Sequence, residues 1–341
     1  MGELLIEATR RFLLSIQGKE IKLDALRKEL RLDPASKEWD GLRNVMFRLA
    51  QQKLVKPSGK RDGEYKVIAQ VSPVTVFGRE TKEPLKLNFP RDFETMDEML
   101  FAQDIVLREG DLILISGVSN FGKTTVCMNF CGENLEGKPV LMGNEYTTVD
   151  GEPTPRFLKR IDSMTWVNWF NGDGDRFTLL PVRDDYAEHV VKDKLNIIDW
   201  INIESGEHYL IGTVLEGIKR NLGTGIGIVA LQKGEGAAAG RGGQFTKDFA
   251  DLELLIDRFG DKEVLLTIGK VKEFTAPVTG RHFAYSIEDG VKILGFREVI
   301  KCTYCYGKGW VRNVPCQYCA KIGYLNKQVH YEEKQPGNVL P

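Results

Sequence analysis

Gly117-Val118-Ser119-Asn120-Phe121-Gly122-Lys123-Thr124 reads G-x4-G-K-T, the pattern of a phosphate-binding loop. Its flanks supply the context that pattern needs. Asp111 to Ser116, with Leu112-Ile113-Leu114-Ile115 inside, reads as a buried strand, and Thr124 to Asn134 reads as the helix that follows. Glycines let the backbone curl so that successive N–H groups point at phosphates, at the positive end of that helix. Lys123 is expected to reach the β- and γ-phosphates of ATP, and the Thr124 hydroxyl to hold Mg²⁺. Gly117, Ser119, Asn120, Gly122 and Thr125 complete the expected nucleotide contacts. The competing reading is a glycine turn with a surface lysine, and the flanking strand and helix argue against it.

Further along, Pro139 to Glu145 reads as a second strand that delivers an acid to its C-terminal end, the edge where ligands bind in open α/β sheets. Leu195 to Ile201 is a third apolar run, and it places Asp199 as a Mg²⁺-side carboxylate requires. Asp193, Glu204 and Glu207 compete for that role, but only Asp199 follows a continuous apolar stretch. A helix is expected from Gly206 to Asn221, then a strand from Gly227 to Gln232. The glycine- and alanine-rich loop from Gly234 to Gln244 opens after it. Lys233 and Arg241 there offer charge to a nucleic-acid backbone. Alternating strands and helices from Phe93 to about Ile293 predict a mostly parallel sheet flanked by helices.

In this order the segments resemble the RecA-like P-loop ATPases, most nearly the DnaB/KaiC branch. The likeness rests on the phosphate loop, the acid ending the next strand, Ile197-Ile198-Asp199-Trp200-Ile201, and Val229-Ala230-Leu231-Gln232-Lys233 with its loop. The resemblance implies that Glu145 is the catalytic glutamate that orients and deprotonates water. It implies that Asp199 is the Walker B carboxylate and Gln232 the γ-phosphate sensor. Ile268 to Glu273 resembles the family's K-x-R finger hairpin, which reaches into a neighbouring subunit's nucleotide, and this makes Lys270 and Lys272 its catalytic cations. Lys272 stands where the family has arginine, and a lysine cannot give the planar two-pronged contact. Arg258, Arg281 and Arg297 are further candidates.

The N-terminal 70 residues have a different pattern. Leu4, Leu5, Ala8, Phe12 and Ile16 recur at helical spacing, Leu23 to Leu30 repeats it, and Ser36 caps a third helix carrying Trp39, Leu42, Met46 and Leu49. Leu54 to Lys56 and Tyr65 to Ile68 flank a turn and read as a hairpin, so three helices and a β-wing predict a winged helix. Arg43, Asn44 and Arg48 on its third helix, with Lys60 and Arg61 at the wing tip, are residue types that reach phosphates and base edges. A winged helix used for protein contact is the alternative.

At the other end, Cys302-x2-Cys305 and Cys316-x2-Cys319 are separated by ten residues, a spacing that closes a tetrahedral thiolate shell around one structural Zn²⁺. Cys302 to Gly309 resembles the DnaJ-type cysteine-rich motif, from which the second pair, followed by Ala320-Lys321-Ile322-Gly323, departs. Tyr304, Tyr306, Trp310, Tyr318 and Tyr324, set among lysines and an arginine, either stack on unpaired bases or pack around the metal. Cys127 and Cys131, four apart on one helix, are expected in the core.

Charge divides with the domains. The net charge of −1 conceals +5 over residues 1–72 and +5 over 292–341, against −11 between them. Basic ends around an acidic core fit a nucleic-acid protein. No run approaches the roughly 18 apolar residues of a membrane span, and Met1 to Gln17 is unlike a signal peptide, so the expectation is a cytoplasmic protein without a membrane partner.

The fold class expected is α/β: a RecA-like P-loop core with a mostly parallel sheet, a small winged-helix domain and a small zinc-binding tail. The expected boundaries are 1–70 for the winged helix, 71–92 for a linker, 93–295 for the core and 296–341 for the tail. The expected activity is ATP hydrolysis by a helicase-like motor on DNA, single-stranded foremost and duplex second, assembled as a homo-oligomeric ring or filament. A recombination filament former and a DNA-bound ATP-dependent adaptor remain open beside it.

Overall fold

The computed structural model describes residues 2–69, 83–84, 86–143, 145–201, 210–234, 237, 240 and 242–327. The chain divides into two compact units, Met1–Thr81 and Lys82–Pro341. In the first, α1 (Gly2–Ser15), β1 (Glu20–Lys22), α2 (Leu23–Glu29), α3 (Lys37–Gln51), β2 (Val55–Pro57) and β3 (Glu64–Val67) follow one another. The strands form an antiparallel sheet in the order β1-β3-β2. Three helices and a hairpin are the expected elements, and the short strand β1 is an addition. Ser36 caps α3 as its sequence demands, its hydroxyl accepting from the Trp39 N–H at 3.2 Å. Leu13, Leu26, Leu42, Met46 and Leu49 close a core against Val55 and Val67.

The second unit is built on one ten-stranded sheet. Its elements are β4 (Leu112–Gly117), α4 (Lys123–Glu133), β5 (Val140–Met142), α5 (Pro155–Ser163), β6 (Thr178–Leu180), β7 (Leu195–Ile198), α6 (Ile211–Asn221) and β8 (Ile226–Gln232). There follow α7 (Gln244–Phe249), β9 (Leu252–Phe259), β10 (Glu263–Val271), β11 (His282–Glu288), β12 (Lys292–Lys301), β13 (Trp310–Val311), β14 (Val314–Pro315) and β15 (Tyr324–Asn326). The sheet runs β15-β12-β11-β10-β9-β4-β8-β7-β5-β6. From β9 to β6 every pairing is parallel, and from β9 outward to β15 every pairing is antiparallel.

Strand β4 is buried along its whole length because helices cover both of its faces. Ile113 and Ile115 pack with Val126 and Phe130 of α4, while Leu112 and Leu114 pack with Leu215 and Ile218 of α6. This is why a two-sided strand reads as a continuous apolar run, not an alternating one. Each of those four side chains contributes roughly 1.5–3 kcal/mol by leaving water. The topology is the expected α/β class with a RecA-like phosphate-loop core. Cys127 and Cys131 lie fully buried in it, as expected.

Residues 86–92 belong to this second unit: Phe89 is buried against Phe101 and Phe130, and Asn88 exchanges hydrogen bonds with Asn134. Strand β12 runs unbroken through residues 295 and 296, and β15 returns from the cysteine segment to pair with it. Among the described residues, no helix is long and apolar enough to cross a membrane.

Candidate nucleotide site and cysteine cluster

The parallel register brings strand ends to one edge. Gly117 is level with Gln232 of β8 and Ile256 of β9, and Met142 of β5 is level with Ile198 of β7. The loop leaving β4 turns through Asn120 (φ +63°) and Gly122 (φ +88°), left-handed conformations that asparagine tolerates and glycine favours. Gly122 stands before α4 with no side-chain cap, so the helix's first-turn N–H groups are presented to an anion. Lys123 is buried, its ammonium donating to the carbonyls of Gly117 (3.0 Å) and Val118 (2.9 Å). Gln232 Nε2 donates to Ser119 Oγ at 3.2 Å, tying the sensor candidate to the loop. The Thr125 hydroxyl donates to the Gly290 carbonyl at 2.8 Å, between β11 and β12, and both residues line one cavity with the loop.

Both candidate carboxylates face this loop. Asp199, 1% exposed, accepts from the Tyr146 hydroxyl at 2.6 Å through Oδ2. Its Oδ1 is buried without a hydrogen bond of ordinary geometry. Burial raises the Asp199 pKa above the usual carboxylate range; the Tyr146 and Thr124 hydroxyls oppose this, and the charge of Glu145 adds to it. An orphaned buried carboxylate oxygen beside the Thr124 hydroxyl is the hard-oxygen donor set that suits Mg²⁺. Glu145 is exposed in the turn after β5, which ends at Met142, sooner than the sequence suggests. The turn is pinned. Thr154 caps α5, donates from its hydroxyl to the Glu145 carbonyl at 2.9 Å, and donates its N–H to the Tyr146 carbonyl at 2.9 Å. Asp193 is spent elsewhere, accepting from Thr224, while Glu204 and Glu207 lie outside the described residues.

A cavity of about 470 Å³ opens between these elements, lined by the phosphate loop, Glu145, Trp200 and Gln232. Arg156 and Arg160 of α5 and Lys262 of the β9–β10 turn also line it, and none of the three has an ion-pair partner among the described residues. Sequence reasoning missed these cations. The only local signal was two arginines four apart behind Thr154-Pro155, a helix start just past Glu145.

The expected finger cations are not at this cavity. In the antiparallel register, Lys270 is level with Glu253 and Val271 with Leu252, at the sheet edge opposite the phosphate loop. Lys272 pairs with Asp251 at 2.9 Å and Lys270 donates to the Lys247 carbonyl. Arg281 is held by Glu298 and Asp104, Arg297 by Glu263, and Arg258 by Asp261 and the Gly260 carbonyl. Lys233 corrects the sequence expectation. Its side chain is 0% exposed and its ammonium donates to Asp257 at 2.6 Å and to the Ala237 carbonyl, so it is not offered to a nucleic-acid backbone. A buried lysine needs such a partner, and that pairing exists only once β8, β4 and β9 lie side by side. Arg241 lies outside the described residues.

In the first unit, Arg43, Asn44 and Arg48 are exposed on α3 together with Phe47, which sequence reasoning left out. Arg43 pairs with Asp62 at 3.3 Å and Lys60 with Glu20 at 3.0 Å; Arg61 is exposed. Pairs this exposed are worth little and yield readily to phosphate.

The four cysteine sulfurs lie within 4.8 Å of one another and are buried. Cys302 to Cys316 is 3.9 Å and Cys305 to Cys319 is 3.6 Å. A tetrahedral shell with Zn–S bonds of about 2.3 Å has sulfur edges of about 3.8 Å, which the two distances just given match. The Gly309 N–H donates to Cys305 Sγ and the Gly323 N–H to Cys319 Sγ, both at 3.2 Å. Against burial, which raises it, the Gly309 N–H and the neighbouring sulfurs hold the Cys305 thiol down to about 7. The second knuckle thus repeats the first. Lys321 (φ +71°) adopts the left-handed turn that Gly307 (φ +82°) makes, and a glycine four residues after the second cysteine is the shared signal. Tyr324 corrects one expectation: it packs on Phe259 and His282 and is not a stacking surface.

A comparison with models of protein families finds no match, and a comparison with curated proteins finds none. Among solved structures, a KaiC-like protein from the hyperthermophilic archaeon Pyrococcus horikoshii is similar at 15% identity and a TM-score of 0.41, covering 62% of this chain and 98% of that one. The fold class rests on the strand order and the phosphate loop described above.

Proposed function

We propose that this chain is a Mg²⁺-dependent, RecA-like P-loop ATPase that works on nucleic acid, helicase-like on single-stranded DNA. One observation carries the reading: the ends of β4, β5 and β8 bring Lys123 and Thr124, Glu145 and Gln232 to the lining of a single cavity, and the end of β7 sets the buried Asp199 beside the Thr124 hydroxyl, next in sequence to Trp200 of that lining. The loop N–H groups and Lys123 hold the phosphates, and Arg156, Arg160 and Lys262 supply cations where charge spreads in phosphoryl transfer. Glu145, at the exposed mouth, orients the attacking water. Gln232, tied to Ser119, responds to the γ-phosphate through the loop. Asp199 and Thr124 would hold Mg²⁺, which would neutralise the charge that develops in phosphoryl transfer. The exposed face of α3 and Arg61 supply duplex contacts from a winged helix, and homo-oligomeric rings or filaments complete the working form.

The test is ATP turnover with and without single-stranded DNA, duplex DNA and RNA. Stimulation by single strands supports the motor, and Glu145→Gln should bind ATP yet hydrolyse it poorly. A second reading, a DNA-bound switch with slow turnover, is favoured by the engagement of Lys270 and Lys272 within their own chain. Tight duplex binding without single-strand stimulation would select it.

A further inference from the structure

We propose that the outer face of the cysteine knuckles is a stacking platform for an unpaired DNA strand. The inference deepens the proposed function and rests on it for the identity of the strand. Tyr304 and Tyr318, one beside each knuckle, lie ring on ring with centroids 3.5 Å apart and planes 6° from parallel. That spacing matches the roughly 3.4 Å rise per nucleotide of a DNA strand. Each tyrosine is nonetheless 52% exposed, so the pair leaves aromatic surface on which further bases can stack. The pair borders a groove of about 310 Å³ that Val311, Val314 and Pro315 also line. Tyr306 stands 82% exposed nearby in sequence, and Trp310 is 47% exposed under the Lys321 ammonium at 5.3 Å.

Charge selects the occupant. Residues 299–331 contain no aspartate or glutamate. Lys301, Lys308, Arg312 and Lys321 are exposed and have no carboxylate partner among the described residues. An apolar peptide needs no such field, whereas a polyanion with aromatic bases needs both the cations and the rings. The four cysteines bury their sulfurs and are enough for a closed tetrahedral zinc shell, so the tyrosines are not needed to complete it.

The test is binding of a labelled thymidylate oligomer to the full zinc-loaded chain without nucleotide, with zinc content and basal ATP turnover measured separately. Tyr304→Ala with Tyr318→Ala is expected to weaken binding roughly 5- to 150-fold, the range for loss of one base–aromatic stack. Tyr304→Phe with Tyr318→Phe keeps the rings and is expected to bind as the wild type does. Lys308→Gln with Arg312→Gln is expected to reduce the salt slope by about 1.4. Should the alanine pair lose zinc, Tyr306→Ala and the charge pair decide alone, each read beside its own zinc content, since their side chains are exposed and supply no sulfur to the cluster. Wild-type affinity and salt slope in these variants overturns the proposal. So does an unfolded apolar peptide that binds where the oligomer does not. Absent ATP turnover with the expected binding losses would sink the ATPase reading and leave the platform standing.

Discussion

Replacing Gly143 by alanine tests the geometry of the site at its tightest point. The glycine directly follows β5, where the chain turns toward Glu145, and a Cβ there would lie 1.8 Å from the Asp199 carbonyl oxygen and 2.8 Å from its carbonyl carbon. Real Cβ contacts do not fall under 3.0 Å, so the ends of β5 and β7 must part by about 1.2 Å. Those ends carry Glu145 and Asp199, and a misplacement of about 1 Å at a catalytic constellation costs on the order of 100-fold in rate. Overpacking of this kind also costs about 1–3 kcal/mol of stability, or roughly 2 to 12 °C in melting temperature for a unit of this size. The assay is steady-state ATP turnover beside a thermal melt. Gly137→Ala, where a Cβ meets nothing within 4 Å, serves as the silent control. A Gly143→Ala protein that turns over ATP at the wild-type rate would refute the reasoning, because it would mean the two strand ends do not set the catalytic geometry.

Three further outcomes follow from named contacts. Tyr146→Phe removes the 2.6 Å hydrogen bond to a fully buried carboxylate, so urea unfolding at neutral pH should show a loss of about 1.5–3 kcal/mol; an unchanged midpoint contradicts it. Cys302→Ser or a strong chelator should release one zinc per chain and raise hydrogen exchange across β15, which returns from the knuckles to β12, while the phosphate loop keeps its protection. Burial, with the charge of Lys301 adding, depresses His282 below its ordinary 6.5. The unfolded chain therefore takes up that proton first, so stability present above about pH 6.5 is lost as pH falls through the lower folded value. His282→Asn should flatten that acid-side decline in a urea midpoint measured between about pH 7.5 and 5.5, and an identical slope would exclude His282 as its source.

What could be read before folding was whatever is contiguous. The phosphate loop, its strand and its helix occupy one stretch from Leu112 to Glu133, and the two C-x2-C pairs announce their own geometry. The places of Asp199 and Glu145 were legible by their order after apolar runs: Asp199 directly follows β7, and Glu145 stands in the turn three residues past the end of β5. Contacts made by sheet pairing were not legible. Lys233 looks like a loop cation until Asp257 is brought within 2.6 Å of it. Tyr146 looks like a turn residue until β7 places Asp199 against its hydroxyl. Arg156, Arg160 and Lys262 meet at one cavity although about a hundred residues separate α5 from the β9–β10 turn. The second knuckle was obscured because Lys321 takes a backbone conformation that composition assigns to glycine.

The most direct measurement is Mg²⁺-dependent ATP hydrolysis by the purified chain, wild type beside Lys123→Ala and Glu145→Gln. Wild-type turnover, with neither binding nor turnover in Lys123→Ala and binding without turnover in Glu145→Gln, is the expected result. No turnover by the wild type, or equal turnover by all three proteins, would contradict the claim that these strand ends form a phosphoryl-transfer site.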